Sequence, residues 1–419
     1  MINKKYFFIG IGGIGMSSIA QYLYEKGNTI LGYDASENKS VKILVKKGVE
    51  VINQLSLERI PDYMKDEDVI VVYTPAIPDD NIFLKYFRSN GNNPIFKRSE
   101  ILGEISKQSK CIAVAGTHGK TTTTAIISHL FHSSGINFKA FIGGIMKCFD
   151  SNYINTGNDY IIVEADEYDR SFLNLNANYA VITSIENDHL DVYGDFKSLT
   201  ESFQSFANNV KDVLITDAEI NLDKDFSFSI KKDSDYYVNN IDILENEIRF
   251  DLKTPNNFYS NISANIIGLH NLKNVLAALS IIDQIKEIDI QNLLPFLSNF
   301  KGIERRMDVY KLGSKVIIDD YAHHPTEIES VFNTIQTNYK NKSKAVVFQP
   351  HLFSRTRDFM DEFAAVLSKF DEVYLLDIYP AREKPIVGVS SQILLEKINC
   401  SKKELIDSKS IDNIILNQE

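Results

Sequence analysis

A short glycine loop in the middle of the chain constrains its fold and chemistry more than any other segment. Residues 111–115 form an apolar run typical of a buried parallel strand, and the sequence Gly-Thr-His-Gly-Lys-Thr (116–121) follows it directly. An apolar helical pattern then continues through residues 125–131. A strand, a glycine loop, Lys-Thr and a helix form the layout that holds a triphosphate, because backbone N–H groups and the helix N-terminus surround phosphate oxygens. The segment therefore predicts an ATP site.

This loop is shorter than the general G-x-x-x-x-G-K-[ST] pattern, because Val114 occupies the place of the first glycine. The alternative is an ordinary strand–helix turn that happens to contain Gly-Lys-Thr. In the ATP interpretation, Lys120 contacts the β- and γ-phosphates and Thr121 holds Mg²⁺. The predicted nucleotide-binding residues of the loop are Gly116, Thr117, His118, Gly119, Lys120, Thr121 and Thr122.

The composition is that of a globular protein with more than one domain. The chain has 419 residues, of which 44% are hydrophobic and 24% charged, so we expect two or three domains. A net charge of −11 argues against nucleic-acid and acidic-membrane partners. No apolar run is long enough to span a membrane, and the three cysteines lack metal-site spacing. We expect a cytoplasmic protein, monomeric or homodimeric.

A second glycine turn lies near the N-terminus, between an apolar strand and a helix. It is followed, after the next strand, by Asp34, which would bind a ribose hydroxyl in a dinucleotide-type fold. NAD, FAD and UDP-sugars all suit this pattern, and a turn with only a packing role would also explain it. Thr74 follows a buried strand, at the sheet edge where α/β folds bind ligands. The glycines of the turn are Gly10, Gly12, Gly13 and Gly15.

Strands and helices alternate along most of the chain, which predicts an α/β fold with parallel sheets. We expect a Rossmann-like domain over residues 1–98, a central ATP-binding α/β domain over 99–302 and a Rossmann-like C-terminal domain over 303–419. Within the central domain, residues 141–144 are expected to end a strand in a glycine turn. Residues 213–262 are expected to form its antiparallel edge.

Acidic residues follow the strand predicted over residues 160–163. Glu164 comes first and is expected to hold Mg²⁺, whereas Asp169 is expected only to start a loop. His189 lies beyond the next strand of the same predicted sheet edge. Because Mg²⁺ prefers oxygen ligands, an imidazole here implies a second ion or a bridging water.

Several polar motifs in the last third of the chain also lie beyond strands or open helices. Asn271 and Asn274 share one helix face, as caps or as nucleotide contacts, and Asp320 could bind ribose or order a hinge. Arg355 and Arg357 suit recognition of a carboxylate or phosphate, although they could also be a solvated helix start. His323 and His324 could suggest zinc binding, but the sequence offers no matching cluster of further zinc ligands.

Together these motifs resemble the Mur ligase family, and they occur in the family's order over nearly the whole chain. The segments that carry the resemblance are residues 10–17, 115–123, 164–167, 188–191, 270–274, 305–306, 319–327 and 348–356. The resemblance implies three domains that bind a UDP-sugar, bind ATP and complete the ligase. It also implies that the first glycine turn holds the UDP diphosphate rather than NAD.

The reaction implied by the resemblance joins L-alanine to UDP-N-acetylmuramate in peptidoglycan precursor synthesis. ATP phosphorylates the lactyl carboxylate of the sugar, the amine of L-alanine attacks the acyl phosphate, and phosphate leaves. Catalysis would depend on Lys120, His189, His323 and Arg355. Because the groups lie on separate domains, we expect turnover to require domain closure.

Further roles are implied residue by residue. Thr121, Glu164 and His189 would hold Mg²⁺. ATP would also contact Asn271, Asn274, Arg306 and Asp320. Substrates would be bound by Gly10, Gly12, Gly13, Gly15, Asp34, Thr74, His324 and Arg357.

The chain departs from the family pattern at three places. Ser184 replaces a common asparagine, which puts one polar contact in question, and residues 53–54 read Asn-Gln instead of Gly-His, which weakens the uridine-side assignment. Relatives usually continue past the length of this chain, so a truncated C-terminal domain with doubtful activity is expected. The alternatives are a recycling ligase that joins a tripeptide to the same UDP-sugar, a nicotinamide-dependent oxidoreductase and a non-catalytic nucleotide-binding protein. The recycling ligase usually lacks the His-x-Phe-Ser-Arg-Thr segment present at residues 351–356.

Overall fold

The computed structural model describes residues 3–187, 190–230, 234–381 and 383–417. It divides into two compact units. The first comprises Met1–Asp242, Glu247–Ile266 and Asn271–Glu304, and the second comprises Ile243–Asn246, Ile267–His270 and Arg305–Glu419. No helix among the described residues combines the length and apolar character needed to cross a bilayer.

The first unit begins with a five-stranded parallel sheet of order β3-β2-β1-β4-β5. Its glycine turn joins β1 to α1, as the sequence predicts. The strands are β1 Lys5–Ile9, β2 Thr29–Tyr33, β3 Glu50–Ile52, β4 Ile70–Tyr73 and β5 Ile95–Lys97. The helices are α1 Ile14–Glu25, α2 Lys39–Lys47, α3 Ile82–Ser89 and α4 Arg98–Ser106.

A ten-stranded sheet of order β15-β14-β13-β12-β11-β10-β6-β9-β7-β8 follows. Its strands are β6 Lys110–Ala115, β7 Phe138–Met146, β8 Ser151–Asn155, β9 Tyr160–Glu164, β10 Tyr179–Ile182, β11 Val213–Asp217, β12 Phe226–Ser229, β13 Tyr236–Ile243, β14 Ile248–Lys253 and β15 Phe258–Ala264. The helices over this part of the chain are α5 Lys120–Ser133, α6 Leu190–Tyr193, α7 Phe196–Asn208 and α8 Leu269–Asp283.

Strand β6 is buried on both faces, which explains the continuous apolar run in its sequence. Ile112 and Val114 join the hydrophobic cluster that contains α5 and α8, whereas Cys111, Ala113 and Ala115 join a cluster on the opposite face. Period-two alternation therefore divides one short strand between two cores. The predicted strand and the helix after the glycine loop are both present.

The second of these clusters also contains side chains of the N-terminal sheet and its helices. Tyr22 on α1 packs against Phe141 and Tyr153 of β7 and β8, with ring centroids 5.7 and 6.2 Å away. The Tyr22 hydroxyl donates a hydrogen bond to Gln108 at 2.7 Å. This shared packing joins the two sheets in one compact unit, and the domain boundaries at residues 98 and 302 remain predictions.

Two details of the predicted central domain are wrong. Residues 141–144 do not end a strand, because β7 continues to Met146. The edge formed by residues 213–262 is not wholly antiparallel, since β11 pairs with β10 and β12 in parallel and β12 pairs with β13 in parallel, whereas β14 pairs with β15 antiparallel. The polar turns between these short strands do not show whether consecutive strands pair in parallel or antiparallel.

The second unit contains an antiparallel hairpin, β16 with β17, and a parallel sheet of order β18-β19-β20. Helices α9, α11 and α12 contribute apolar side chains to the cluster on the parallel sheet. The strands are β16 Asp308–Leu312, β17 Lys315–Asp319, β18 Ala345–Phe348, β19 Glu372–Leu375 and β20 Lys402–Leu405. The helices are α9 Pro325–Asn338, α10 Phe353–Asp358, α11 Met360–Leu367, α12 Ser391–Lys397 and α13 Ile411–Asn417.

Candidate active site

The glycine loop between β6 and α5 follows a path that only glycine permits at two positions. Gly116 has φ +128°, and a Cβ there would lie 2.2 Å from the Thr183 hydroxyl oxygen. Gly119 has φ +85°, and its Cβ would lie 2.3 Å from Oδ1 of Asn274. Both conformations are in the left-handed region, and both positions have a neighbour too close for a side chain. The loop is therefore enclosed by β10 on one side and α8 on the other.

The segment after β10 anchors the loop by hydrogen bonds. Thr117 N donates to Ser184 O at 3.0 Å, and His118 N donates to the Ser184 hydroxyl at 3.0 Å. Glu186 N donates to the Thr117 hydroxyl at 2.9 Å, and the Glu186 carboxylate lies 3.5 Å from His118 Nε2. Ser184, which replaces a common asparagine, thus supplies a polar contact to the loop.

Lys120 folds its ammonium back over the loop. Its Nζ donates to the carbonyl oxygens of Gly116 and Thr117, at 2.6 and 3.2 Å. It also contacts both carboxylate oxygens of Glu167, at 3.0 and 2.8 Å. The side chains of Lys120 and Glu167 are only 13% and 1% exposed, so this ion pair is buried.

Burial controls the protonation of this pair. It raises the pKa of Glu167 to about 7, although the Lys120 ammonium acts in the opposite direction. Burial lowers the pKa of Lys120, but the carboxylates of Glu167, Asp166 and Glu164 outweigh it and the net shift is upward. Lys120 therefore stays charged among these acids.

The two predicted Mg²⁺ ligands in the described residues lie next to each other. The Thr121 hydroxyl donates to Oε1 of Glu164 at 3.1 Å, and Gly143 N donates to Oε2 at 2.8 Å. A Cβ on Gly143 would lie 2.3 Å from this carboxylate, which is why glycine occupies the middle of β7. Glu164 is thus held in one orientation at the start of α5. His189, the third predicted ligand, lies outside the described residues.

The two predicted asparagines of α8 lie beside the loop. Asn274 Nδ2 donates to Asn271 Oδ1 at 3.3 Å, and both side chains are buried. The Thr123 hydroxyl contacts the backbone oxygen of Asn274 at 3.5 Å. Thr122, also predicted to bind nucleotide, is half-buried on the first turn of α5. The structure therefore places Asn274, the loop and the Thr121–Glu164 pair together at the carboxyl edge of the large sheet.

The N-terminal glycine turn is also tightly closed. Gly10 has φ +83° and its N donates to Tyr33 O at 2.8 Å, while a Cβ on it would lie 3.5 Å from Thr74 Cγ2. Gly12 N donates to Oδ2 of Asp34 at 2.8 Å. The predicted ribose ligand Asp34 thus braces its own turn.

Beside that turn, the Nη1 atom of Arg98 lies 2.6 Å from the place of a Cβ on Gly15. The Nη2 atom of Arg98 pairs with Asp166 at 2.9 Å. Gly13, the remaining predicted glycine, precedes α1 as its N-cap and has extended backbone angles. Asp169, expected only to start a loop, pairs with Lys97 at 2.7 Å.

In the second unit, Asp320 orders the chain between β17 and α9. Its Oδ2 accepts from Met307 N at 2.7 Å and its Oδ1 accepts from Ala322 N at 2.8 Å. Burial raises the pKa of Asp320 against the nearby Arg306 guanidinium. Arg306 lies over the Tyr321 ring, 5.5 Å from its centroid. Asp320 thus orders the backbone at Met307 and Ala322, and both of its predicted roles stay predictions.

His323 and His324 have different surroundings. His323 N donates to Glu327 at 2.9 Å, and burial lowers the pKa of His323. His324 caps α9, since Thr326 N donates to its Nδ1 at 3.4 Å.

The two predicted arginines of α10 also differ. The Arg355 side chain is buried, whereas the exposed Arg357 pairs with its neighbour Asp358 at 2.7 Å. The guanidinium of Arg355 therefore lies within the fold, whereas that of Arg357 faces solvent.

Sequence reasoning missed Glu167 and Arg98 as members of the site. A signal for Glu167 was present, because three acids occur within residues 164–167 directly after a buried strand. Nothing in the spacing showed which of the three would turn toward Lys120. Arg98 follows an edge strand, and its proximity to Gly15 depends on how α4 packs.

The raised pKa of Glu167 predicts how stability changes with pH. Between the ordinary value of 4.5 and about 7, the folded protein holds a proton that the unfolded chain has released. The stabilising contribution of this residue is complete below 4.5 and decreases as the pH rises through that window. We expect Glu167→Gln, which stays neutral, to gain stability relative to the parent protein over the same window. The midpoint of urea unfolding, followed for both proteins at a series of pH values, checks this. A pH-independent difference between the two midpoints would contradict the raised pKa.

Comparison with known proteins gives the same assignment as the sequence motifs. The catalytic domain of the Mur ligase family matches residues 5–110, the Mur ligase middle domain matches residues 114–282, and the glutamate ligase domain matches residues 305–416. The UDP-N-acetylmuramate–L-alanine ligase of Christiangramia forsetii is 44% identical over 99% of this chain and 92% of its own length.

Solved structures show the same fold. The crystal structure of UDP-N-acetylmuramate–alanine ligase from Thermotoga maritima is similar with a TM-score of 0.84 and 28% identity, over 98% of this chain and 92% of that one. A murein peptide ligase from Psychrobacter arcticus shares the fold with a TM-score of 0.71 and 21% identity, over 98% and 97% of the two chains. The family predicted from the motifs is confirmed, and the chain belongs to the Mur ligase family.

Proposed function

We propose that this protein joins L-alanine to UDP-N-acetylmuramate at the expense of ATP, in the synthesis of peptidoglycan precursors. One observation carries the proposal: Lys120, Thr121 and Glu164 meet at one glycine loop. The chain is also 44% identical to the UDP-N-acetylmuramate–L-alanine ligase of Christiangramia forsetii. The cytoplasmic location, the monomeric or homodimeric state and the absence of nucleic-acid and membrane partners are parts of the same proposal.

The first step would transfer the γ-phosphoryl group of ATP to the lactyl carboxylate of the sugar. An unactivated carboxylate is a poor electrophile, so a phosphate leaving group must be attached before the amine attacks. Lys120 is buried and charged beside the loop, where its ammonium would offset negative charge on the transferring group. Asn271 and Asn274 would contact the nucleotide from α8.

Thr121 and Glu164 suit Mg²⁺ because both present oxygen atoms, which are the ligands this ion prefers. Their 3.1 Å contact and the hydrogen bond from Gly143 hold the donors together before any ion binds. A bound Mg²⁺ would neutralise charge on phosphate oxygens. His189 as a ligand of a second ion remains a prediction from the sequence.

In the second step, the amine of L-alanine attacks the acyl carbon, an amide bond forms, and phosphate leaves with the bonding electrons. The glycine turn at residues 10–15, with Asp34 and Thr74, would bind the UDP part of the sugar substrate. His323, His324, Arg355 and Arg357 are proposed to serve the amino acid and the acyl centre. Arg355 is the stronger candidate of the two arginines, because its guanidinium is buried within the fold.

An acceptor panel tests the proposed reaction. With UDP-N-acetylmuramate, ATP and Mg²⁺, we expect phosphate release and a product of the right mass with L-alanine, and less with L-serine or glycine. Preference for the tripeptide would show a recycling ligase instead. Nucleotide binding without turnover on any acceptor would show a non-catalytic protein, and reduction of a nicotinamide cofactor would show an oxidoreductase.

Replacing Lys120 by alanine tests the assignment of the two substrate sites. We expect kcat to fall by about 10²-fold or more, because a buried charge at the transferring phosphoryl group is lost. UDP-sugar affinity should stay near that of the parent protein, since Lys120 lies at the other glycine loop. Turnover assays and calorimetric titration with UDP-N-acetylmuramate measure the two effects. Equal loss of both properties would contradict the separate sites.

Replacing Gly143 by alanine tests the Mg²⁺ assignment without touching either ligand. The new Cβ would displace the Glu164 carboxylate from its hydrogen bond. We expect the Mg²⁺ concentration needed for half-maximal nucleotide binding to rise about tenfold, which is typical of a disturbed ligand orientation. Nucleotide titrations at several Mg²⁺ concentrations measure this, and binding without Mg²⁺ is the internal control. An unchanged Mg²⁺ dependence would argue against Glu164 as a ligand.

A further inference from the structure

Glu167 has no part in the two reaction steps described above, yet it makes the closest charged contact to Lys120. The ammonium has three N–H donors and four oxygen atoms within 3.2 Å: two loop carbonyls and both carboxylate oxygens of Glu167. All of its hydrogen-bonding capacity is therefore used inside the protein. A phosphate group can accept a hydrogen bond from Lys120 only if the ammonium breaks its contact with one of these oxygens.

We propose that Glu167 is a positioning residue that occupies the place of the nucleotide phosphates on Lys120, so that the triphosphate must displace it. This inference rests on the proposed ATP-dependent function. A carboxylate presents two negative oxygen atoms to the ammonium, as a phosphate does. The pair would keep Lys120 folded over the loop until nucleotide arrives.

The backbone that carries Glu167 is anchored by two hydrogen bonds. The backbone oxygen of Glu167 accepts hydrogen bonds from the Tyr193 hydroxyl at 2.5 Å and from Arg170 N at 2.9 Å. Lys120 carries its charge on a flexible four-carbon stem. When the contact breaks, we expect the ammonium to move toward the phosphates, since the backbone of Glu167 is anchored.

A buried ammonium without acceptors for its N–H groups would destabilise the loop, which explains why the protein keeps a carboxyl group at this position. The same acid opposes nucleotide binding in two ways. When it is ionised, above about pH 7, it competes for Lys120 and its charge repels the phosphates that approach. Glu167 thus stabilises the empty loop and lowers its affinity for nucleotide.

Glu167→Gln separates these effects, because it keeps the size of the side chain and removes its charge. We expect it to bind an imido analogue of ATP, with Mg²⁺, about tenfold more tightly than the parent protein, as for the loss of one competing charge-assisted hydrogen bond. Isothermal titration calorimetry on the full chain, at a pH above 7 where Glu167 carries its charge, measures the affinity. A folded variant with equal or weaker affinity overturns the inference.

Asp169→Asn is the matched control, since it removes an acid from the same loop that pairs with Lys97 instead of Lys120. Asn also tolerates the positive φ of +54° at this position. We expect its affinity for the analogue to remain within about twofold of the parent value, as for a surface ion pair. A gain as large as that of Glu167→Gln would assign the effect to the charge of the loop in general and overturn the inference.

A double-mutant cycle with Lys120→Ala tests whether the effect passes through the lysine. In the Lys120→Ala background, Glu167→Gln should raise affinity by much less than tenfold. An equal gain in affinity in both backgrounds would mean that Glu167 acts only by repelling the phosphates. It would overturn the proposal that the triphosphate displaces Glu167 from Lys120.

The same titrations separate this inference from the proposed function. A parent protein that binds no nucleotide would overturn both. If the parent protein binds nucleotide and Glu167→Gln binds it with the same affinity, only the inference is overturned.

If Glu167→Gln shows no cooperative unfolding transition, Glu167→Asp replaces it. Its shorter side chain should weaken the ion pair and raise affinity by a smaller factor, and unchanged or weaker binding would again contradict the displacement.

Discussion

The buried ammonium of Lys120 is the constraint around which the glycine loop and its neighbours are arranged. Two loop carbonyls and Glu167 surround it, and without them its burial would cost more than local packing could offset. Gly116 supplies one of these carbonyls, from a left-handed conformation that has no room for a side chain. The acids after β9 supply the charge. The loop that we propose to receive phosphate therefore already contains an internal substitute for it.

The parallel sheet explains how residues far apart in the chain reach this ammonium. Strands β6, β9 and β10 are adjacent and run in the same direction, so their carboxyl ends meet at one edge. β6 leads into the loop, β9 into Glu164 and Glu167, and β10 into Ser184. Since each strand is buried on both faces, none of these ends can shift alone without disturbing two hydrophobic cores. This rigidity fixes the proposed Mg²⁺ ligand Glu164 and the acceptor atoms around the flexible Lys120 side chain.

Much of this arrangement could be predicted from the sequence, because strand ends followed by polar motifs identify a ligand edge without knowledge of packing. The loop, the strands β6, β9 and β10, and the proximity of Thr121 and Glu164 follow from that rule. Gly143 was misread because glycine in a strand and glycine in a turn have the same sequence signal. Only the approach of the Glu164 carboxylate shows that the residue makes room for a neighbour. Glu167 was missed because burial and side-chain direction within an acidic run depend on tertiary contacts.

The acidic run after β9 also connects the two glycine turns of the first unit. Asp166 pairs with Arg98, whose guanidinium lies against Gly15, and the next residue, Glu167, pairs with Lys120. Two consecutive acids thus hold one cation at the predicted UDP-sugar turn and one at the predicted ATP loop. Because a single peptide bond separates them, a shift of this segment that released one ion pair would strain the other. The spacing between the two glycine turns is therefore set by a short acidic segment as well as by the packing of the two sheets.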